Sequence, residues 1–175
     1  MSRIEVRPAT PGDVDLLAEW ACAMALETEG KALDLDTVRR GIAVGLADPA
    51  RARYFVALRS DDYAGAEVVR VPAGTLMLTT EWSDWRCGDW WWIQSVYVAP
   101  AFRRHGVFRA LYAHVRAAAE ADPQVCGLRL YVEKHNAAAQ ATYAALGMAD
   151  AGYAMYEVGT RQAGRPAPAA GAAQR

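Results

Sequence analysis

Residues 89 to 98 read DWWWIQSVYV, a nearly continuous apolar and aromatic run. It has the length of one strand and lacks the polar alternation of a strand with one wet face, so it predicts a central strand covered on both faces. Such a strand needs helices to cover it, and the residues that follow provide one. From about 105 to 121, Phe108, Leu111, Tyr112, Val115 and Ala119 fall on one side of a helix, and Arg109, Arg116 and Glu120 on the other. VCGLRLYV (125 to 132) then reads as the next strand. Upstream, RIEVRPA predicts a strand. In TPGD, Thr10 is placed to cap a helix, with Pro11 in its first position and Asp13 completing a capping-box pattern. Val14, Leu17, Ala21 and Met24 carry that helix to about residue 26, and Val38, Ile42 and Leu46 mark a second that stops before Pro49. YFVALR (54 to 59) and GTLMLTTEW (74 to 82) are predicted strands, with SDDYAG a turn after the first. Asn136 opens a short helix ended at Gly147, and GYAMYEV (152 to 158) is predicted as a last strand. This order describes an α/β domain with a mixed sheet, expected over residues 1 to 160. Residues 161 to 175 are rich in Ala, Gly and Pro and are expected to form a disordered tail.

Where the central strand turns into its helix, the sequence is VAPAFRRHGVF. A helix N-terminus offers unpaired N–H groups and a partial positive charge. Gly106 tolerates backbone angles other residues avoid, and Arg103 and Arg104 add charge. A diphosphate would suit this geometry, although one glycine and two arginines before a helix are equally consistent with a solvated turn. The formal net charge of −1 argues against broad nucleic-acid binding. Cys22, Cys87 and Cys126 are odd in number and far apart, in no metal-ligand spacing, so neither a disulfide framework nor a metal site is expected. With no leader and no long apolar run, the expected setting is the cytoplasm, away from membranes.

A second motif, YVEKHNAAAQATYAALGM (131 to 148), lies about thirty residues beyond the first. Together they resemble the GCN5-related N-acetyltransferase (GNAT) superfamily, and the resemblance runs from IEVRPATPGD to GYAMYEV. It implies a single-domain, mostly antiparallel mixed sheet flanked by helices, with splayed parallel central strands. It also implies acetyl-CoA as cosubstrate. In that family a segment Gln/Arg-x-x-Gly-x-Gly/Ala cradles the coenzyme diphosphate. Here the segment is Arg103, Arg104, His105, Gly106, Val107 and Phe108, with Phe108 departing from the usual small residue. By the same resemblance, the main chain of Val96, Tyr97 and Val98 meets the pantetheine arm, and an N–H near Val96 polarises the thioester carbonyl. Asn136 matches the residue that bonds the coenzyme arm. Tyr143 matches the tyrosine that protonates the departing thiolate, against the simpler reading of a core aromatic.

Many relatives place a Glu or His base on the central strand, where this chain has Trp92 and Gln94. Glu81 is the first candidate for the base and Asp89 the second, with a base acting through water also compatible. The tryptophan-rich WSDWRCGDWWW divides between hairpin packing and an acceptor pocket, for which Trp82, Trp85, Trp92 and Gln94 are the candidates. The expected activity is transfer of an acetyl group to a primary amine of a small molecule by direct attack, without a metal; homodimerisation is left open. Transfer to a hydroxyl, use of a longer acyl-CoA, and an acyl-CoA-binding module without turnover are the alternatives.

Overall fold

The computed structural model describes residues 2–61 and 69–160. These fall into two compact units, one ending at Tyr131 and the other starting at Val132. The first holds a five-stranded sheet in the order β1 (Ser2–Pro8), β2 (Arg53–Asp61), β3 (Arg70–Ser83), β4 (Gly88–Val98) and β5 (Val125–Leu130). The first three pairings are antiparallel, and β4–β5 is parallel. Helices α1 (Val14–Glu29) and α2 (Leu35–Ala47) follow β1, and α3 (Val107–Ala121) crosses between β4 and β5. The mixed, helix-flanked sheet is the architecture expected from the order of elements.

Side-chain alternation assigns the two faces. Phe55 on β2 stacks edge-on against His114 of α3, with ring centroids 5.2 Å apart. Its neighbours in register, Leu76 on β3 and Val96 on β4, share that face. α3 seats Val107, Leu111 and Val115 there, all essentially buried. The opposite face carries Val56, which forms a core cluster with Leu17 and Ala18 of α1 and Ile42 of α2. Thr75, opposite Val56, is buried on that face and satisfies its hydroxyl by donating to the Phe55 carbonyl at 2.9 Å. The helix α3 comes unusually close to the sheet at Gly74, where a Cβ would stand 2.8 Å from both Val107 Cγ1 and the Tyr97 carbonyl oxygen.

The start of α1 is tied down by one carboxylate. Pro11–Asp13 form a 3-10 turn, and Asp13 accepts from the Thr10 N–H at 2.7 Å and the Thr10 hydroxyl at 2.8 Å. Arg7 on β1 reaches the same carboxylate with two bonds of 2.8 Å. The Arg7 guanidinium, helped by the Thr10 donors, holds the Asp13 carboxyl well below the usual carboxylate range.

In the second unit, Asn136 caps α4 (Ala137–Ala145), its Oδ1 accepting from the Ala139 N–H at 3.0 Å. The expected strand at 152–158 is not formed. Tyr153, Tyr156 and Val158 are more than four-fifths exposed, and among the described residues no strand pairs with this segment, so extended backbone has nothing to gain there. β5 stops at Leu130 rather than 132, and α3 starts at Val107 rather than 105. Most of the expected SDDYAG turn and the whole expected tail lie outside the described residues.

Candidate functional site

Three features of the first unit converge on the C-terminal half of β4. The first is an open strand edge. Pairing between β4 and β5 runs from Asp89↔Val125 to Ile93↔Leu130 and then ends, while β4 continues to Val98. The parallel strands therefore part beyond Ile93. The Ala99 N–H bonds the Ala73 carbonyl at 3.0 Å, which turns residue 99 toward β3. In an antiparallel ladder successive residues alternate in direction, so the N–H and C=O groups of Val98 and Val96 face the side that β5 has left. The Val98 carbonyl accepts there from Arg103 Nε at 3.1 Å.

The second is a β-bulge. Met77 pairs with Ser95 and Leu78 with Ile93, leaving Gln94 as an extra residue on β4. The bulge puts Gln94 beside Ser95 on the α1/α2 face and re-aims what precedes it. Gln94 Nε2 donates to Thr79 Oγ1 at 2.7 Å, and the Tyr131 hydroxyl donates to Gln94 Oε1. Trp92 stacks on Tyr131 with centroids 5.2 Å apart and donates its indole N–H to Glu81. The other Glu81 oxygen accepts from Arg129 at 2.9 Å, and the Arg129 guanidinium lies 4.1 Å over the Trp90 ring. Glu81, Trp92 and Gln94 are thus brought together, joined by Thr79, Arg129 and Tyr131.

Asp89 and Trp82 are not part of that group. They pair with each other, one step along from the Glu81↔Trp90 pair, and so project from the opposite face of the sheet. Trp85 is 86% exposed at the hairpin tip. The structure therefore separates Trp82 and Trp85 from Trp92 and Gln94, and Glu81 and Asp89 do not flank one opening.

The third feature is the turn into α3. Arg104 and Gly106 both have left-handed backbone, at φ 66° and 81°, and Gly106 is the N-cap. Left-handed residues within a turn can gather N–H groups into an anion-binding concavity, and the first-turn amides of Val107, Phe108 and Arg109 have no helical carbonyl to bond. His105 donates Nδ1–H to the Arg103 carbonyl, 2.7 Å away. Arg103 is engaged elsewhere: its two terminal nitrogens bond the Glu27 carboxylate of α1 at 2.7 and 2.6 Å. That pair holds the Glu27 carboxyl below its ordinary value. What the turn offers directly is therefore main chain plus Arg104. Phe108 packs near Tyr112, ring to ring at 6.2 Å.

The other two predicted residues belong to the second unit. Asn136 spends its carbonyl oxygen on the α4 cap and retains an amide able to donate. Tyr143 stands on the same helix, and burial pushes its phenol above the ordinary value. Among the described residues no cluster of three metal-ligating side chains occurs, and no helix is long and apolar enough to cross a membrane.

Sequence reasoning missed the bulge, Arg129, Tyr131 and the Glu27–Arg103 pair. The one available signal was the Gly127, Arg129, Tyr131 alternation, a polar and aromatic stripe on a strand otherwise read as buried.

A family model described as "Acetyltransferase (GNAT) family" matches residues 16–148. A structure described as "a possible acetyltransferase from Clostridium difficile 630" is 39% identical over 90% of this chain and 98% of that one, with a TM-score of 0.80. The fold is also similar to that of an aminoglycoside N-acetyltransferase, AAC(6')-Iy, in complex with CoA, at 13% identity and a TM-score of 0.68 over 92% of this chain and 97% of that one. A ribosomal-protein-alanine N-acetyltransferase from Brucella melitensis biovar Abortus 2308 shares it at 15% identity and 0.64, over 89% and 98% of the respective chains. No curated protein matches the sequence.

Proposed function

The chain belongs to the GNAT acetyltransferase family, and from that premise we propose that it transfers the acetyl group of acetyl-CoA to a primary amine of a small molecule. The observation that carries this reading is the parting of β4 from β5 directly before the turn into α3. It leaves a strand edge and a helix N-terminus next to each other in the chain.

The residues fit the coenzyme. Gly106 supplies a left-handed N-cap with no side chain over the first-turn amides, which suits a diphosphate. The outward main chain of Val96 and Val98, with Tyr97 between them, suits an arm that pairs as an added strand. The main chain of Arg104, His105, Val107 and Phe108 is assigned to the same diphosphate, and Asn136, whose amide remains able to donate, is assigned to the coenzyme arm. Bound acetyl-CoA would supply an activated thioester. The chain's own part is to hold it, to exclude water, and to manage two protons. An alkyl amine is almost wholly protonated at neutral pH, so a base must take its proton, and Glu81 is the assignment for that role, directly or through water. Tyr143 is the assigned donor to the departing thiolate. Trp92 and Gln94 are proposed to border the acceptor.

A coenzyme-binding module without turnover is the second reading. It is favoured by the engagement of both Glu81 oxygens, with Arg129 and Trp92. A thermal-shift titration with coenzyme A, followed by thiol release from acetyl-CoA across a panel of amines, tests both. Stabilisation with thiol release supports the transferase, and stabilisation without release from any amine supports the module. No stabilisation and no heat at millimolar coenzyme would remove both readings.

A further inference from the structure

The outer edge of β1 is bare. Among the described residues β1 pairs with β2 alone, in an unbroken register from Ser2↔Asp61 to Pro8↔Phe55. The Ala9 N–H bonds the Tyr54 carbonyl at 2.8 Å, which fixes the direction of each group along the strand. Arg3, Glu5 and Arg7 exchange main-chain bonds with β2, while Ser2, Ile4 and Val6 turn theirs outward. An edge of this kind templates pairing with another strand, and folded chains blunt it with bulges, prolines or charges. β1 has no bulge before Pro8, and its charges alternate in sign as Arg3, Glu5 and Arg7.

We propose that this edge is the interface of a two-fold homodimer, with β1 antiparallel to the β1 of a second copy and Ile4 on the axis. Charge and hydrogen bonding select that register. Centring on Arg3 sets Arg3 against its own copy, and centring on Glu5 sets two carboxylates together; like charges directly opposite are destabilising. Centring on Val6 puts Ile4 opposite Pro8, which has no N–H to give. It also turns Glu5 toward Arg7, whose guanidinium already holds Asp13 with two bonds. Centring on Ile4 has none of these faults. Ile4 exchanges bonds with its copy, Ser2 and Val6 exchange bonds with each other, and no donor is missing. Arg3 then faces Glu5 of the second copy, and by symmetry Glu5 faces Arg3, in the closer, non-hydrogen-bonded kind of pair. Arg3 is exposed and has no ion-pair partner among the described residues. Glu5 is exposed too, with only Arg70 near it at 3.4 Å. On the face that α3 covers, the half-buried Ile4 and Val6 gain further cover.

One strand pair buries less than the roughly 1,200–2,000 Å² of a standard stable interface, so dimer and monomer should exchange. Sedimentation equilibrium over a wide range of chain concentration should show mass rising from monomer toward dimer. Arg3→Glu and Glu5→Arg each set like charges opposite across the axis and should weaken association about ten-fold or more. The double variant restores opposite charges and should restore the dimer. An equal mixture of the two single variants should form the heterodimer that neither forms with itself, a result that misfolding cannot imitate. In the unaltered chain, the Ile4 and Val6 amides should exchange with deuterium slowly when concentrated and rapidly on dilution, while the Arg7 amide, bonded to β2, stays slow in both. If a single variant does not fold, this amide comparison decides. A chain that is monomeric at every concentration would overturn the proposal. So would a dimer unchanged in both single variants and without protection at Ile4 and Val6, because its interface would lie elsewhere.

Discussion

Replacing Gly106 separates the cost of folding from the cost of binding. At φ 81° a Cβ is strained whatever surrounds it, and an ideal Cβ there meets no atom within 4 Å. Gly106→Ala should therefore cost only the left-handed penalty, about 1–2 kcal/mol, which in a domain of this size lowers Tm by about 2–8 °C. Gly106→Asp carries a similar folding cost, since its side chain also points into open space. For binding, the two variants differ greatly. A unit negative charge about 4 Å from a phosphate charge costs about 4 kcal/mol at an effective dielectric of 20, equivalent to roughly a thousand-fold in Kd. Calorimetric titration with coenzyme A at low and at high salt reads this directly. Ala should weaken binding several-fold with little salt dependence, while Asp should nearly abolish it at low salt and recover partly as salt screens the repulsion. If the Asp variant folds and keeps its coenzyme affinity within about three-fold of the original chain, the diphosphate does not lie on this turn, and the assignment of residues 103 to 108 fails.

Four further substitutions address the protons and the scaffold. Tyr143→Phe is expected to lower kcat by about one to three powers of ten with little change in coenzyme affinity; single-turnover rates equal to those of the original chain would make Tyr143 a packing residue. Glu81→Gln should keep coenzyme binding and lose rate, with the loss shrinking as pH approaches the amine's own pKa. Parallel pH–rate profiles for Glu81→Gln and Arg129→Gln check this, since matching losses at every pH would reduce Glu81 to a partner for Arg129. Asp13→Asn removes the bidentate ionic partner of Arg7, a pair that solvent partly reaches, and should cost about 1–2 kcal/mol. Because the Asp13 pKa is depressed in the folded chain, its contribution is present above about pH 4, the unfolded value, and is lost as pH falls further. The Tm difference between variant and original chain should thus be steady at neutral pH and narrow in acid. A difference that persists unchanged at pH 2 would refute the role of the charge.

How much of this was legible depends on where the information lies. β4 and α3 are readable because their signals are local: an unbroken apolar run, then a 3.6-residue stripe that ends in Ala119. The Thr10–Asp13 capping pattern is readable for the same reason, although its third partner, Arg7, sits on another element. The bulge at Gln94 leaves no mark in QSV, since an extra residue shows only against the register of β3. Without it, nothing on the page of sequence puts Gln94 beside Ser95 or turns Trp92 toward Glu81. The Glu27–Arg103 pair joins residues 76 positions apart, so a reading of Arg103 from its neighbours could only assign it to the anion. The segment 152–158 shows the converse limit, because alternation alone does not create a strand when no neighbour takes up its backbone groups.

Gly74 gives the site a dependence on a residue that takes no part in its chemistry. The α3 helix rests against this point, and one obstacle to a methyl group here is the Tyr97 carbonyl, a main-chain atom that cannot rotate away. Even alanine would force the main chain of β4 at Tyr97, and Val107 in the first turn of α3, to shift away from β3, and these are the two elements between which the coenzyme is proposed to lie. In a mutational scan scored by activity, position 74 should thus tolerate as little as the turn itself. Scored by surface chemistry it would look silent. A survey that ranked positions by functional loss alone would take this spacer for a catalyst.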